Sequence, residues 1–143
     1  MWVIYDYCRP ATKRGEAPQN LIAEWSRLNQ KALMAAVNMK LRTIETDQRN
    51  EHGDVGPPPW VDGPVSGYPK LYKIKIQGGV KGANTRILVC RGPQDGLKEI
   101  TLLFGAEEIN RKWNPLNARD IALQRFEQVK ANFAWRCPHE WVS

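Results

Sequence analysis

The sequence predicts an α+β fold: a mostly antiparallel four-stranded sheet packed by a pair of N-terminal helices and one C-terminal helix. Apolar residues alternate with period two near the N-terminus and in "LYKIKI", and two further segments before residue 105, "TRILVC" and "KEITLLF", are rich in apolar residues. They recur with the 3.6-residue period of a helix between about residues 19 and 46, and again after residue 114. Strands and helices therefore come in runs, in the order β-α-α-β-β-β-α, rather than in the strict alternation typical of parallel sheets.

Length and composition are those of one soluble domain. The chain has 143 residues, of which 42% are hydrophobic and 25% charged, and a single domain over 1–143 can bury a real core at this length. No apolar run approaches the roughly 20 residues of a membrane span, and no signal peptide is evident at the N-terminus. Cys8, Cys90 and Cys137 are too few and too scattered for a disulfide framework. We therefore expect a cytoplasmic protein without a membrane partner.

The first strand is predicted in "WVIYDY", with Val3 and Tyr5 on one face and Ile4 on the other. From about Gln19 the period becomes helical. One stripe comprises Leu21, Ile22, Trp25 and Leu28, and a second comprises Leu33, Met34, Val37, Leu41 and Ile44. Since no glycine or proline separates the stripes, one long helix and a helix pair with a tight turn near Asn29 both fit. A pair suits a compact domain better.

Residues 47–69 are predicted to form an irregular loop, because they hold five of the ten prolines. The hairpin strands "LYKIKI", "TRILVC" and "KEITLLF" follow, and "GAEEINRKW" is predicted to leave the sheet. The last helix is predicted to begin with Asn114 as N-cap and Pro115 at the first helical position. From about residue 134 we expect a tail.

The positive charge of the chain is concentrated around the hairpin. The net charge is +6, and six of the 21 basic residues lie between Val65 and Pro93, a span without Asp or Glu. The 15 remaining basic residues match the 15 acidic ones, so the whole excess belongs to this region. Such a patch indicates a polyanionic partner, usually nucleic acid. Lysines that protect a strand edge from aggregation are the plainer explanation.

Several motifs of the chain resemble the RelE/HigB toxin superfamily, especially its HigB-like, phage-derived branch. They are Leu71-Tyr72, Arg86-Ile87-Leu88, the segment Leu102 to Gly105, Asn114-Pro115, and the segment Ala122 to Arg125. The resemblance covers about residues 1–7 and 20–130, and it rests mainly on the order and spacing of these motifs.

The resemblance implies the toxin component of a bacterial or phage type II toxin–antitoxin system, with a RelE-like fold. Such toxins enter the ribosome and cut mRNA, and a cognate antitoxin protein inhibits them. The partners implied here are thus an antitoxin, mRNA and the ribosome. The family's functional Lys-Ile-Lys strand and following arginine match Lys73, Lys75 and Arg86. No cofactor and no metal are expected.

The chemistry of RNA cleavage gives these cations a role. A 2′-OH attacks the adjacent phosphorus, so a base must take its proton, cations must stabilise the phosphorane, and an acid must protonate the leaving 5′ oxygen. A lysine crowded by other cations can have its pKa lowered enough to act as the base. The further residues expected to bind RNA are Lys70, Lys81, Arg91, Arg111, Lys112 and Trp113.

The chain departs from the family just after Gly105. Glu107 and Trp113 stand where RelE has an arginine and a tyrosine, and Glu108 follows. Trp113 can stack on a base, but its indole is no acid. Glu107 or Glu108 can serve as the catalytic base, with Glu107 as the candidate, or both are simply surface charges.

Three functions remain open from the sequence. The first is a ribosome-dependent mRNA endonuclease that inhibits translation, favoured by the Lys-Ile-Lys pair. The second is a ParE-like toxin that poisons gyrase. The third is a catalytically inactive RNA-binding or regulatory relative, favoured by Glu107 and Glu108.

Overall fold

A computed structural model describes residues 2–28, 31–46, 61–62, 64–76, 84–92 and 98–141, and it confirms the α+β class. Eight strands lie in these ranges: β1 Val3–Arg9, β2 Gln19–Asn20, β3 Val61–Asp62, β4 Tyr72–Ile76, β5 Asn84–Arg91, β6 Glu99–Ile109, β7 Lys112–Asn114 and β8 Arg136–Pro138. The helices there are α1 Leu21–Leu28, α2 Lys31–Glu45, α3 Ala118–Ala131 and a 3-10 turn, Phe133–Trp135.

The strands form one mixed sheet in the order β2-β1-β6-β5-β4-β3, with β7 paired to β6 and β8 paired to β1. The hairpin partners β4, β5 and β6 are antiparallel, whereas β1 runs parallel to β6. The four predicted strands correspond to β1, β4, β5 and β6. The predicted number of strands was too low, because four strands have only two or three residues each and are too short to show a period. These are β2, β3, β7 and β8.

Helices cover both faces of the sheet. Phe104 and Gly105 are neighbours on β6, so their side-chain directions are opposite. Gly105 lies against the indole of Trp25 in α1, so closely that an added Cβ would sit 2.1 Å from a ring atom. The ring of Phe104 instead lies 5.0 Å from the guanidinium of Arg125 in α3. Hence α1 and α3 lie on opposite faces of the sheet.

The core fills both layers between the helices and the sheet. Its largest fully buried side chains are Ile22, Leu41, Ile44, Leu71, Ile74, Ile87, Leu88, Ile100, Leu102 and Leu103, with Val37 and Val89. Both helical stripes of the sequence contribute core residues, as predicted, but Leu28 of the first stripe is 88% exposed. The side chains of Leu33 and Met34 in the second stripe lie outside the described part of the chain. Since α1 ends at Leu28 and α2 begins at Lys31, the stripes belong to two helices.

The predicted start of the last helix is wrong. Asn114 is the final residue of β7, where it pairs with Glu107, and the helix starts three residues after Pro115, at Ala118. The N-cap residue is Asn117, and the amide of Ala118 donates to the carbonyl of Pro115 at 3.0 Å. An asparagine before a proline was a sound capping signal, but strand pairing determines the conformation of Asn114.

Two segments expected to be irregular carry regular structure. Within the predicted loop 47–69, β3 pairs with β4, while 47–60 and residue 63 lie outside the described residues. The predicted tail contains the 3-10 turn and β8, which pairs antiparallel with β1. No disulfide was expected from the three scattered cysteines, but Cys8 and Cys137 form one, although they lie 129 positions apart in the sequence.

Candidate nucleic-acid interface

The register of β4 and β5 brings the predicted cations together. Lys75 lies directly opposite Arg86, and Lys73 lies two residues before Lys75, opposite Leu88. Residues two apart on a strand, and residues directly opposite across a ladder, share a face. Lys73 and Lys75 therefore share a face, as the strand period predicts, and the pairing of β4 with β5 adds Arg86 to that face.

An acidic residue from β6 completes this cluster. Lys73 Nζ donates to Glu108 Oε1 at 2.8 Å, and Arg86 Nε donates to the same oxygen at 3.0 Å. The side chains of Lys73, Arg86 and Glu108 are only 25, 13 and 19% exposed. The expectation of a basic hairpin without a nearby acid is therefore wrong at Lys73 and Arg86.

The length of β6 explains this error. The segment "GAEEI" was predicted to leave the sheet, but β6 continues to Ile109. Ala106 lies opposite Arg86, so Glu108, two residues on, shares the face of Arg86. Glu107 lies between them in sequence and points to the other face, where Gly105 meets α1. The structure thus brings Glu108, and not the candidate base Glu107, to the cations.

A tight hairpin positions Trp113 beside the cluster. Asn110 and Arg111 connect β6 to β7 with φ angles of 52° and 65°, the positive values that a two-residue type I′ turn requires at both positions. The turn sets Trp113 directly opposite Glu108. Lys73 Nζ lies 5.7 Å from the centre of the half-buried Trp113 ring, within the range of a cation–π contact.

The two cations control the charge of Glu108. Burial raises the pKa of its carboxyl, but hydrogen bonds and charge attraction from Lys73 and then Arg86 outweigh burial and hold the pKa below the ordinary value of 4.5. Glu108 is therefore ionised at neutral pH. Arg86 is held further by a 3.0 Å bond from Nη1 to the carbonyl of Thr85. We call Lys73, Arg86, Glu108 and Trp113 the cation cluster.

The other residues predicted to bind RNA lie at differing distances from the cation cluster. Arg111 and Lys112 are exposed in the β6–β7 hairpin that carries Trp113, and Lys70 is exposed just before β4. Lys75 is exposed and lines a cavity of about 470 Å³ beside α2. These four residues can extend a basic surface around the cation cluster.

Arg91 and Lys81 do not join that surface. Arg91 is five residues from Arg86 on β5, about 17 Å away at strand spacing. Its guanidinium lies 5.8 Å from the ring centre of the buried Trp2, at the other end of the sheet. Lys81 lies outside the described residues.

The cation cluster has the parts that recognise a single-stranded nucleotide. Two cations fixed on rigid strands can hold a phosphate, and a half-buried indole beside them can stack on a base. A phosphate must displace the Glu108 carboxylate, which now accepts from both cations. The sequence named the cations and Trp113 but not the pairing with Glu108. The sequence feature that could have predicted this pairing is the apolar stretch "LLFGA" before the two glutamates, because it is compatible with one long strand that continues through Glu108.

No helix in the described part of the chain is long and apolar enough to cross a membrane. Comparison with protein-family models, with curated proteins and with solved structures finds no match to this chain. The motifs of the sequence and the geometry of the cation cluster are therefore the observations that bear on function.

Proposed function

We propose that the chain is the toxin component of a type II toxin–antitoxin system, a cytoplasmic ribosome-dependent mRNA endonuclease. The observation that carries the proposal is the convergence of Lys73 and Arg86 on one carboxylate beside Trp113. Cations arranged in this way on adjacent strands suit a phosphodiester, and the indole suits a base. The RelE/HigB-like motifs support the same function.

Each member of the cluster has a role in the proposed cleavage. Lys73 and Arg86 hold the scissile phosphate and stabilise the charge of the phosphorane. Glu108, once displaced by the phosphate, accepts the proton of the attacking 2′-OH, and Lys75 donates to the leaving 5′ oxygen. A carboxylate with a lowered pKa is a weak base, so the ribosome must supply part of the orientation that in-line attack requires.

An inactive RNA-binding relative is the second candidate, and the same carboxylate favours it. Glu108 satisfies both cations in the free protein, so the cluster is stable without a ligand and its affinity for phosphate is reduced. The difference between the two candidates is measurable, because only an endonuclease needs Glu108 for turnover.

Expression in bacteria tests the proposal. The wild-type protein should arrest growth and translation, and the triple variant Lys73→Ala, Lys75→Ala, Arg86→Ala should not, while its circular dichroism stays native. The matched control is Arg91→Ala, which removes a cation from the far end of β5. Unchanged toxicity in a folded triple variant would refute the assignment.

Cleavage assays on translating ribosomes separate the two candidates. For an endonuclease that uses Glu108 as base, Glu108→Gln should lower the cleavage rate by about 10²–10⁴-fold. For an inactive relative, neither the wild type nor the variant cuts mRNA, and both bind it. Equal cleavage of naked and ribosome-bound RNA would contradict the ribosome-dependent function.

The proposed antitoxin must cover or reshape the cation cluster. Its expected contact is an acidic side chain that replaces Glu108 on Lys73 and Arg86. A complex with the product of the neighbouring reading frame would test this. An antitoxin that touches only the segment after Phe133 would contradict it.

A further inference from the structure

The C-terminal segment 133–141 is bound along the outer edge of β1. Within β8, Arg136, Cys137 and Pro138 lie opposite Tyr7, Asp6 and Tyr5 in that order. The ring of Trp135 stacks on Tyr7 at 5.9 Å. The buried guanidinium of Arg136 pairs with Glu99 at 2.9 Å and lies 3.9 Å over the ring of Tyr5.

The end of this segment joins the strand to both N-terminal helices. His139 lies 2.7 Å from the fully buried carboxylate of Asp6 and 3.2 Å from Asn38 in α2. The amide of Glu140 donates to Asp6 at 3.1 Å, and its side chain pairs with Arg27 in α1. The guanidinium of Arg42 in α2 lies 3.8 Å over the ring of Trp141. We call residues 133–141 the C-terminal clasp.

One covalent bond links the clasp to the sheet. Cys137 lies opposite Asp6, so it is the diagonal neighbour of Cys8 on the same face of the β1–β8 pair. The two Cα atoms are 6.2 Å apart, inside the range of protein disulfides. Cys8 is completely buried, whereas Cys137 is half-buried at the outer edge. Cys137 is therefore the more accessible partner of the bond, and we expect a small thiol from solution to attack its sulfur rather than that of Cys8.

We propose that the Cys8–Cys137 disulfide is a reversible redox switch that locks and loosens the C-terminal clasp, with glutathione or a thiol of that class as its partner. In reduction, a glutathione thiolate attacks the sulfur of Cys137, the protein S–S bond breaks, and Cys8 leaves as a thiolate that takes a proton. A second glutathione thiolate attacks the mixed disulfide and releases Cys137. Two glutathiones are oxidised to glutathione disulfide, and the reverse steps reform the bond.

The third cysteine provides an internal control. Cys90 is buried on β5, and burial raises the pKa of its thiol to about 12. Its thiolate is therefore scarce at neutral pH, and thiol reagents should not reach it in the folded protein. The three cysteines fall into separate tryptic peptides, 1–13, 87–91 and 137–143, so each can be followed by mass spectrometry.

The chemical test uses the full chain in glutathione buffers of increasing reducing strength, without denaturant. Under oxidising buffer we expect peptide 1–13 cross-linked to peptide 137–143. Under reducing buffer we expect iodoacetamide to label Cys137 and leave Cys90 unlabelled, and re-oxidation to restore the cross-link. The proposal is overturned if the cysteines stay free under oxidising buffer. It is also overturned if the bond can be reduced only after the protein unfolds, because such a bond is a structural disulfide and not a switch.

The conformational test compares the oxidised protein, the reduced protein and the variant Cys137→Ser. Because the bond closes a very long loop, its reduction should lower the Tm by about 10 °C. The backbone amides of Arg136, Cys137 and His139 should exchange at least about tenfold faster with solvent, while those of the β6–β7 hairpin, residues 110–113, should not change. Cys137→Ser should behave like the reduced protein in both buffers. A Tm and an exchange pattern that ignore the redox state would rule out the switch.

Discussion

Replacing Glu108 by glutamine should strengthen the binding of single-stranded RNA by about tenfold. The change keeps the size of the side chain and removes the charge that now occupies the cations. Both Lys73 Nζ and Arg86 Nε donate to Glu108 Oε1, at 2.8 and 3.0 Å. A phosphate held by the same two donors would lie close to the carboxylate even after Glu108 has rotated aside, and a separation of about 4 Å serves to size the repulsion.

The magnitude follows from this separation. Two unit charges 4 Å apart repel by about 1 kcal/mol in bulk water and by about 4 kcal/mol at the effective dielectric constant of a protein surface. Glu108 is 19% exposed, which places the site between these limits, and the cost of rotating Glu108 adds to the repulsion. A gain of about 1.4 kcal/mol, or tenfold in Kd, is thus a conservative expectation.

Fluorescence anisotropy with a labelled RNA of about ten nucleotides measures the effect. The matched control is Glu107→Gln, which makes the same change of net charge one residue away on the opposite face of β6. Glu108→Gln should also steepen the salt dependence of binding by about 0.7 in the logarithmic slope, the share of one further phosphate contact. Equal gains in the two variants would show that only net charge matters, and a weaker affinity of Glu108→Gln would refute the competition between carboxylate and phosphate.

Three further predictions concern stability. Because the pKa of Glu108 is lowered on folding, its ion pairs should make the wild type about 1–2 kcal/mol more stable than Glu108→Gln at pH 7. In urea denaturation this gap should shrink as the pH falls from 4.5 through the lowered pKa, and a gap that does not change across the acid range would exclude the ion pairs as its cause. Gly105→Ala should cost about 1–3 kcal/mol through its clash with Trp25, and Trp25→Leu in the same chain should recover part of that cost; a neutral Gly105→Ala would contradict the close approach of α1. Asp6→Ala should lower the free energy of unfolding by about 3 kcal/mol, because Asn20, His139 and the amide of Glu140 lose their buried acceptor. Asp120→Ala is the control for an exposed acid, and a loss below about 1 kcal/mol for Asp6→Ala would show that water replaces the carboxylate.

Elements with several periods of apolar patterning could be predicted from the sequence. The alternation in "LYKIKI" predicts β4 to within one residue, and its apolar members Ile74 and Ile76 are buried, at 0 and 2% exposed. β5 also lies where "TRILVC" predicts a strand, and the described residues of the two helical stripes are buried or half-buried except Leu28, which is 88% exposed. Elements of two or three residues could not be predicted, since β2, β3, β7 and β8 depend on pairing with a longer strand.

Only part of the candidate site could be predicted, because the site also depends on where one strand ends. Strand period alone placed Lys73 and Lys75 on one face, and the hairpin order placed Arg86 near them. The contribution of β6 depended on where that strand ends, and the turn at Asn110-Arg111 lacks the glycine that usually signals a type I′ hairpin. A strand shorter by a few residues removes Glu108 from the cluster, so an error in one boundary reversed the expected electrostatics of the site.

The position of Glu108 is compatible both with a stable fold and with the proposed anion site. Lys73 and Arg86 are mostly buried, and without a carboxylate both would lose hydration and repel each other in the free protein. Glu108 offsets that cost, and the same contact lowers the affinity for any ligand that must replace it. A partner therefore gains most by supplying its own anion together with contacts that the carboxylate cannot make, such as a base stacked on Trp113. Selection of RNA over a simple phosphate ion then depends on the indole, so Trp113→Ala should abolish the preference of the site for an oligonucleotide over inorganic phosphate while leaving the pairing of Lys73 and Arg86 with Glu108 in place.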